Sequence, residues 1–137
     1  MLSKRVKYAL KTLIFLDTQS REKLCSAKMI AEREKIPFKF LEQILRELKQ
    51  HQLIKSTRGA EGGYSLLKNA DDIKVLDVIR IVDGPVAMLP CASLKFYEPC
   101  ADCIDEDTCR IRKLLVQVRD SMLPLLETSI AQLRKEE

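Results

Sequence analysis

The chain has 137 residues, 46% of them apolar and 32% charged, a length that suits one folded unit with an appendage and is short for two independent domains. No run approaches the roughly 18 apolar residues of a membrane helix, and the basic start lacks the apolar stretch of a signal peptide, so we expect a cytoplasmic protein. The net charge of +4 is uneven: residues 1–68 hold 15 Lys and Arg against 7 Asp and Glu, whereas residues 69–137 hold 9 against 13, so the first half is the one that would attract a polyanion.

Three amphipathic helices are predicted in the basic half. Apolar residues recur at helical spacing over residues 3–17, with Ser3 as a suitable N-cap. Ser26 is predicted to cap a short second helix that ends near residue 34. Pro37, a residue type tolerated at the first helical position, is predicted to start a third helix that runs to about His51.

The third helix has two faces of different character. At 100° per residue, one face is an apolar stripe and the opposite face is a row of two cations and two amides. The stripe consists of Leu41, Ile44, Leu45 and Leu48, and the polar row of Lys39, Gln43, Arg46 and Gln50. Such side chains can donate hydrogen bonds to phosphates and base edges, and an α-helix fits the major groove of DNA. A solvated helix surface is the alternative for this face taken alone.

A glycine-rich hairpin is predicted directly after that helix. Leu53–Thr57 and Tyr64–Leu67 read as two short strands, and the six residues between them hold three of the four glycines in the chain. Arg58 stands where a hairpin tip could reach into a minor groove. A nucleotide-binding phosphate loop is the rival, but no Gly-Lys-Ser/Thr signature leads into a helix. The combined pattern predicts a mainly α fold with a small β-hairpin wing, that is, a winged helix-turn-helix.

The second half is predicted to contain a helix, a long loop and a further helix. Asp71 or Asp72 can open the fourth helix, which the sequence Asp83-Gly84-Pro85 stops. From Val86 to about Thr108 no period is sustained, and loops of this length are usually functional or disordered. Four of the five cysteines fall here, at Cys91, Cys100, Cys103 and Cys109. Clustered thiols in a reducing compartment indicate metal or redox chemistry.

A long helix is predicted from Cys109 or Arg110 onward. Its apolar stripe comprises Ile111, Leu114, Leu115, Val118, Met122, Leu125 and Leu126. A small winged helix has little core left to cover this stripe, so a second copy is the expected partner, with packing on its own domain as the alternative. Pro124 is expected to kink or interrupt the helix near Asp120, and Thr128 to cap a short final one.

The sequence resembles the Rrf-two family of winged-helix transcription regulators, which has IscR-, NsrR- and CymR-like branches. The likeness spans nearly the whole chain and is carried by Ser3-Lys4, Tyr8-Ala9-Leu10, Phe40-Leu41-Glu42-Gln43-Ile44-Leu45, Ser56-Thr57-Arg58-Gly59, Gly62-Gly63-Tyr64, and Val78, Val82, Asp83 and Gly84. It implies a homodimer with crossed long helices that binds double-stranded DNA at a palindromic operator. We expect a winged helix-turn-helix DNA-binding domain (1–85), a cysteine-bearing sensory loop (86–109), and a dimerisation helix with a short C-terminal helix (110–137).

The resemblance also implies which residues contact DNA. The contacting positions of the family match Lys39, Phe40 and Gln43 in the third helix and Arg58 and Gly59 in the wing, and Glu42 matches a position that tunes sequence choice. The derived polar row adds Arg46. In the alternative interpretation, Phe40 only packs against the hairpin.

Iron-sulfur members of the family supply three cysteines from this loop and a fourth ligand from elsewhere. Here the position of the family's histidine holds Arg112, and that of an N-terminal carboxylate holds Lys7, so the four loop cysteines are the implied ligand set. Four thiolates complete a 2Fe-2S or a 4Fe-4S cluster, and the spacing does not decide between them. Zinc is the competing metal, but only Cys100 and Cys103 form a Cys-x2-Cys knuckle. Free or reversibly oxidised thiols, with no metal, are a further alternative.

We therefore expect a DNA-binding regulator, not an enzyme, and a repressor that senses redox or iron-sulfur status. One alternative is a metal-free repressor controlled by a partner protein or a small ligand. Another, from a different class, is a small iron-sulfur redox protein whose basic half docks an acidic partner. The wing and the polar row of the third helix favour the regulators.

Overall fold

A computed structural model describes residues 2–136, which fold into six α-helices and one β-hairpin. The helices are α1 (Lys4–Thr18), α2 (Ala27–Glu34), α3 (Phe38–Gln50), α4 (Val75–Val82), α5 (Arg110–Leu126) and α6 (Ile130–Lys135), and the strands are β1 (Ile54–Thr57) and β2 (Gly63–Leu66). A short 3-10 turn at Ala70–Asp72 precedes α4, and a second at Pro90–Ala92 lies in the cysteine loop.

Helices α1, α2 and α3 pack their apolar stripes into one core. The hydroxyls of Ser3 and Ser26 accept hydrogen bonds from the first turns of α1 and α2, as predicted, and so satisfy amides that have no partner within the helix. The core is built mainly from Val6, Ala9, Leu13, Ile30, Leu41, Ile44, Leu45 and Leu48. Between α2 and α3 the chain turns within three residues, with Lys35 in the left-handed region at φ 54°. This arrangement is a helix-turn-helix.

The hairpin follows α3 and packs on the same core. The strands are antiparallel, with Ile54 opposite Leu66 at the buried end and Thr57 opposite Gly63 at the tip. The polypeptide before α2 joins this hairpin, because the backbone of Cys25 exchanges two hydrogen bonds with that of Tyr64. The hairpin is therefore a wing fixed to the helix-turn-helix, and the predicted fold is confirmed.

The C-terminal helix α6 returns to the core of the winged helix. Ile130 is fully buried, and its N–H donates to the carbonyl of Ile73 at 2.8 Å. The N–H of Val75, at the start of α4, donates to the carbonyl of Thr128 at 2.9 Å. Helix α6 thus packs in the same core as α1.

Helix α5 lies outside this core. It contacts the 3-10 turn of the cysteine loop and the end of α4, yet none of its 17 residues, all within the described part of the chain, is fully buried. Within residues 2–136, no helix combines the length and the apolar character needed to cross a membrane.

Two predictions about helix starts are wrong. Pro37 is the N-cap of α3 and not its first residue, with ψ at 128° outside the helical region. Helix α4 begins at Val75, and Asp71 and Asp72 lie in the preceding 3-10 turn. The chain becomes extended at Ile73 because this buried residue accepts the hydrogen bond from α6, which a helix beginning at Asp71 would displace.

Two predictions near the end of the chain are also wrong. Pro124 does not interrupt α5 near Asp120, since the helix continues to Leu126, and a kink at this point stays a prediction. The proline has no N–H, so the carbonyl of Asp120 loses its donor within the helix, yet the helix continues for two more residues. Ser129, not Thr128, caps α6, through a reciprocal pair of hydrogen bonds with Gln132. The hydroxyl of Thr128 instead donates to the carbonyl of Leu125.

Candidate nucleic-acid interface and cysteine loop

Helix α3 presents its predicted polar row to solvent. Lys39, Gln43, Arg46 and Gln50 are all exposed, while the apolar residues on the other side of the helix are fully buried. The helix is anchored to α1 by an ion pair between Arg5 and Glu47. Its buried stripe fixes its rotation about its own axis, so the exposed side chains face away from the core.

Phe40 and Glu42 also lie on the exposed surface of α3. The ring of Phe40 is half exposed and packs on Tyr8 of α1, with 6.3 Å between the ring centroids and 51° between the planes. Phe40 therefore packs on α1, and its packing against the hairpin stays a prediction. Sequence reasoning did not assign Tyr8 this supporting role, although the residue belongs to the motif quoted for the family.

The wing tip exposes Arg58 and Gly59 directly after β1. Gly59 has φ of +125°, a region that residues with a side chain rarely adopt, and no described atom lies within 4 Å of the place where its Cβ would be. Gly62 closes the turn by donating to the carbonyl of Gly59 at 3.0 Å, and a Cβ there would lie 2.2 Å from the carbonyl oxygen of Thr57. The glycines thus give a compact tip that leaves Arg58 free to project.

Cys25 lies apart from the other cysteines, at the base of the wing. It is fully buried, and this burial raises the pKa of its thiol, with Lys23 opposing the shift. Its backbone pairs with Tyr64, as described above. This buried position indicates a structural role for Cys25.

The four loop cysteines lie in two close pairs. The Cys100 thiol donates a hydrogen bond to the sulfur of Cys91, with 3.8 Å between the two Sγ atoms. This hydrogen bond raises the pKa of the Cys100 thiol. Cys103 and Cys109 form the second pair: burial raises the pKa of Cys103 most, and the neighbouring Cys109 raises it further. The sulfur of Cys109 also caps α5 by accepting from the N–H of Arg112 at 3.4 Å.

Two arginines of α5 hold the loop in place. Arg112 Nε donates to the carbonyl of Cys91 at 3.1 Å, and a terminal nitrogen of Arg119 donates to the carbonyl of Ala92 at 2.6 Å. Across the loop, the Tyr97 hydroxyl lies 2.6 Å from both carboxylate oxygens of Glu106, and this hydrogen bond raises the pKa of the phenol. Sequence reasoning missed these anchors because no spacing pattern marks a side chain that binds a distant carbonyl.

The donor set of the loop suits an iron-sulfur cluster in its chemistry, since four soft thiols belong to one segment. The described residues do not, however, gather three or more Cys, His, Asp or Glu side chains into one group arranged around a metal position. Among the described residues, the thiols of Cys91 and Cys100 are in contact, but no three of the four thiols surround one position. A four-ligand site therefore requires the loop to rearrange.

Comparison with known proteins identifies the family. A model of the Rrf2 family, described as iron-dependent transcriptional regulators, matches residues 2–136. The chain belongs to the Rrf2 family. A relative from Rhodobacter capsulatus, named as an rrf2-like HTH-type transcriptional regulator, is 42% identical over 131 residues, which is 93% of this chain and 87% of the relative. The HTH-type transcriptional regulator CymR of Bacillus subtilis is 31% identical over 93% of this chain and 84% of its own length.

Solved structures give the same result for the fold. The structure of CymR, described as the global cysteine regulator of B. subtilis, superposes with a TM-score of 0.80 at 29% identity and covers 100% of this chain and 98% of its own. IscR of T. potens superposes with a TM-score of 0.77 at 31% identity, covering 99% of this chain and 87% of its own. This Rrf2-family protein is a winged-helix transcription regulator, and its relatives are regulators and not enzymes. The alternative of a small redox protein is thereby not supported.

Proposed function

We propose that this Rrf2-family protein is a homodimeric repressor that binds a palindromic operator in double-stranded DNA. The observation that carries the proposal is the polar row of α3, which is exposed along its length and is backed by a fully buried apolar face. A helix held in this way presents a fixed set of donors to a groove, as helix-turn-helix proteins require.

Each exposed residue has a role that follows from its chemistry. Lys39 and Arg46 supply charge to phosphates or base edges, and Gln43 can pair with a base edge through its amide. Phe40 offers an apolar contact, and Glu42 tunes sequence choice by repelling phosphates or accepting from a base. In the wing, Arg58 enters the minor groove, and Gly59 allows the backbone to approach the DNA.

The second copy is proposed to cover α5. Ile111, Leu114 and Leu125 are 65%, 58% and 76% exposed, a large apolar surface for one helix. Beside them, an open groove of about 850 Å³ is lined by Val118, Met122, Leu125, Leu126, Pro85 and Leu2. Arg112 and Arg119 occupy the side of α5 that meets the protein's own loop, so the apolar side remains for a symmetric partner.

We further propose the division of labour expected from the sequence: residues 1–85 bind DNA, residues 86–109 sense, and residues 110–137 dimerise. The packing of α6 modifies this division, because the final helix joins the core of the DNA-binding unit, so that within residues 110–137 we assign the dimer contact to α5. A shift of α5 against its partner would thus reach the winged helix from both ends of α5, through the loop before it and α6 after it.

The loop is proposed to hold a 2Fe-2S or 4Fe-4S cluster on Cys91, Cys100, Cys103 and Cys109. The description of the family as iron-dependent supports this assignment, and a bound cluster would make the loop responsive to iron and to oxidants. Arg112 and Arg119 would hold the Cys91 segment against α5, while Tyr97 and Glu106 would restrain the segment that contains Cys100 and Cys103. Zinc on the same four thiols is the competing metal.

A metal-free repressor controlled by a partner protein or a small ligand is the second candidate. The lack of a group of three or more ligands among the described residues and the similarity to CymR, described as a cysteine regulator, favour it. The two candidates share the same DNA interface and differ only in what moves α5.

Two measurements test these assignments. Selection of bound duplexes from a random library should yield an inverted repeat, and enrichment of a single half-site would contradict a symmetric dimer. Anaerobic purification with iron, sulfide and zinc analysis should give a coloured protein whose absorbance is lost in Cys103→Ser and retained in the matched control Cys25→Ala. A colourless protein without iron would favour the metal-free repressor, and one zinc per chain would favour zinc.

A further inference from the structure

Cys91 and Cys100 lie close enough to form a disulfide after a small movement. Cys91 is buried in the 3-10 turn Pro90–Ala92, whereas Cys100 is only half buried. Their Sγ atoms are 3.8 Å apart, with the Cys100 thiol directed at the Cys91 sulfur. A disulfide places its sulfurs about 2.0 Å apart, so the bond requires a closing movement of about 2 Å. The irregular chain between the two residues can accommodate such a movement.

The remaining loop contacts favour this pair over the other possible pairs. The backbone of Cys91 is fixed, because its carbonyl accepts from Arg112 and the next carbonyl accepts from Arg119. The sulfur of Cys109 is already engaged as the cap of α5. Cys100 is the thiol in contact with Cys91, whereas Cys103 neighbours Cys109. The bond between Tyr97 and Glu106 closes the segment that contains Cys100.

We propose that Cys91 and Cys100 form a reversible disulfide when a hydroperoxide oxidises the metal-free loop. The peroxide O–O bond breaks as the accessible Cys100 sulfur takes one oxygen, giving a sulfenic acid and one molecule of water or alcohol that carries away the thiol proton. The Cys91 sulfur then displaces the hydroxyl, which leaves as water with the Cys91 proton, and the S–S bond forms. Two electrons pass from the two thiols to one peroxide.

The regulatory role of this disulfide rests on the sensing function proposed above. Formation of the disulfide itself does not require that the loop ever binds a cluster. The disulfide removes two of the four thiols from the proposed ligand set. It also links the segment around residue 100 to the turn that Arg112 and Arg119 hold against α5. Oxidation would thus fix the loop to the proposed dimer helix and exclude a four-cysteine metal site at the same time.

Peptide mapping of the full-length protein tests the bond. The metal-free protein is treated with one equivalent of hydrogen peroxide, its remaining thiols are alkylated, and it is digested with trypsin. Cleavage after Arg80, Lys95 and Arg110 separates Cys91 from the other three loop cysteines. We expect a linked pair of the peptides 81–95 and 96–110, which dithiothreitol separates. Cys100→Ser should abolish the linked pair, and the matched controls Cys103→Ser and Cys109→Ser should retain it.

Any of three results would overturn the inference. One is a disulfide within peptide 96–110, which would assign the bond to the other cysteines. The second is a linked pair that persists in Cys100→Ser, and the third is alkylation of both Cys91 and Cys100 after peroxide treatment. The outcome is separable from the proposed cluster, because a protein that forms this disulfide but shows no iron in the anaerobic assay supports the inference and contradicts only the cluster.

Discussion

The backbone of Cys25 pairs with that of Tyr64, donating one hydrogen bond of 3.0 Å and accepting another of 2.8 Å. Gly63 lies beside this pair, and a Cβ at Gly63 would stand 2.7 Å from the carbonyl carbon and oxygen of Cys25. The wing is thus attached to the segment before α2 by a backbone contact that leaves no room for a side chain at Gly63.

Gly63→Ala should therefore destabilise the protein, because backbone atoms and not a flexible side chain would have to move. We expect a loss on the order of 2 kcal/mol or more in the free energy of unfolding, measured by urea titration. Gly59→Ala at the wing tip is the control for backbone strain alone, because Gly59 also has a positive φ (+125°) but no atom close to its Cβ position, so its loss should be the smaller of the two. Equal losses in the two variants would contradict the importance of the close approach to Cys25.

Arg58→Ala should weaken operator binding by about 1 to 3 kcal/mol if the side chain reads the groove. The measurement is fluorescence anisotropy with a selected duplex at several salt concentrations, and the salt dependence of the binding constant should also fall. Lys135→Ala removes an equal charge from α6 and serves as the control. An unchanged affinity for Arg58→Ala at fixed salt would remove Arg58 from the interface.

Leu114→Glu should convert the protein to monomers, because it places a carboxylate in the exposed apolar surface of α5 that we assign to a second copy. Sedimentation equilibrium reports the mass directly. Lys113→Glu introduces the same carboxylate at the adjacent exposed position and should leave the assembly intact. A wild-type protein that sediments as a monomer would defeat the dimer itself.

Arg119→Ala should release the 3-10 turn of the cysteine loop from α5. The carbonyl of Ala92, a fully buried residue, would lose its donor, which typically costs about 1 to 3 kcal/mol. Hydrogen exchange of peptides that cover residues 90–98 should become faster, while exchange in α3 should not change. Arg110→Ala, an exposed cation of the same helix, is the control. Unchanged exchange in both variants would show that Arg119 does not hold the turn.

Cys25 should resist alkylation in the native protein, because it is fully buried and its raised pKa keeps the sulfur protonated at neutral pH. A short pulse of iodoacetamide, followed by mass spectrometry, should modify the half-buried Cys100, Cys103 and Cys109 but neither Cys25 nor the buried Cys91, and all five should react in urea. Modification of Cys25 at the rate of Cys103 would indicate that the wing opens frequently at its base.

Much of the candidate DNA interface was predictable because it depends on local pattern. The helical period separated Lys39, Gln43 and Arg46 from the buried stripe, and the clustered glycines marked the wing. The contact of Phe40 with Tyr8 was not predictable in this way, since two residues 32 positions apart meet only when α1 and α3 pack.

The amino-acid sequence by itself determined the winged helix, the exposed polar row of α3 and the positions of the cysteines, because caps, glycines and periodicity act over a few neighbouring residues. Only the tertiary structure decided that α6 returns to the core, that Arg112 and Arg119 hold the loop, and that Cys91 faces Cys100. These contacts join distant segments through single hydrogen bonds and packed side chains, whose partners are selected by the folded chain as a whole.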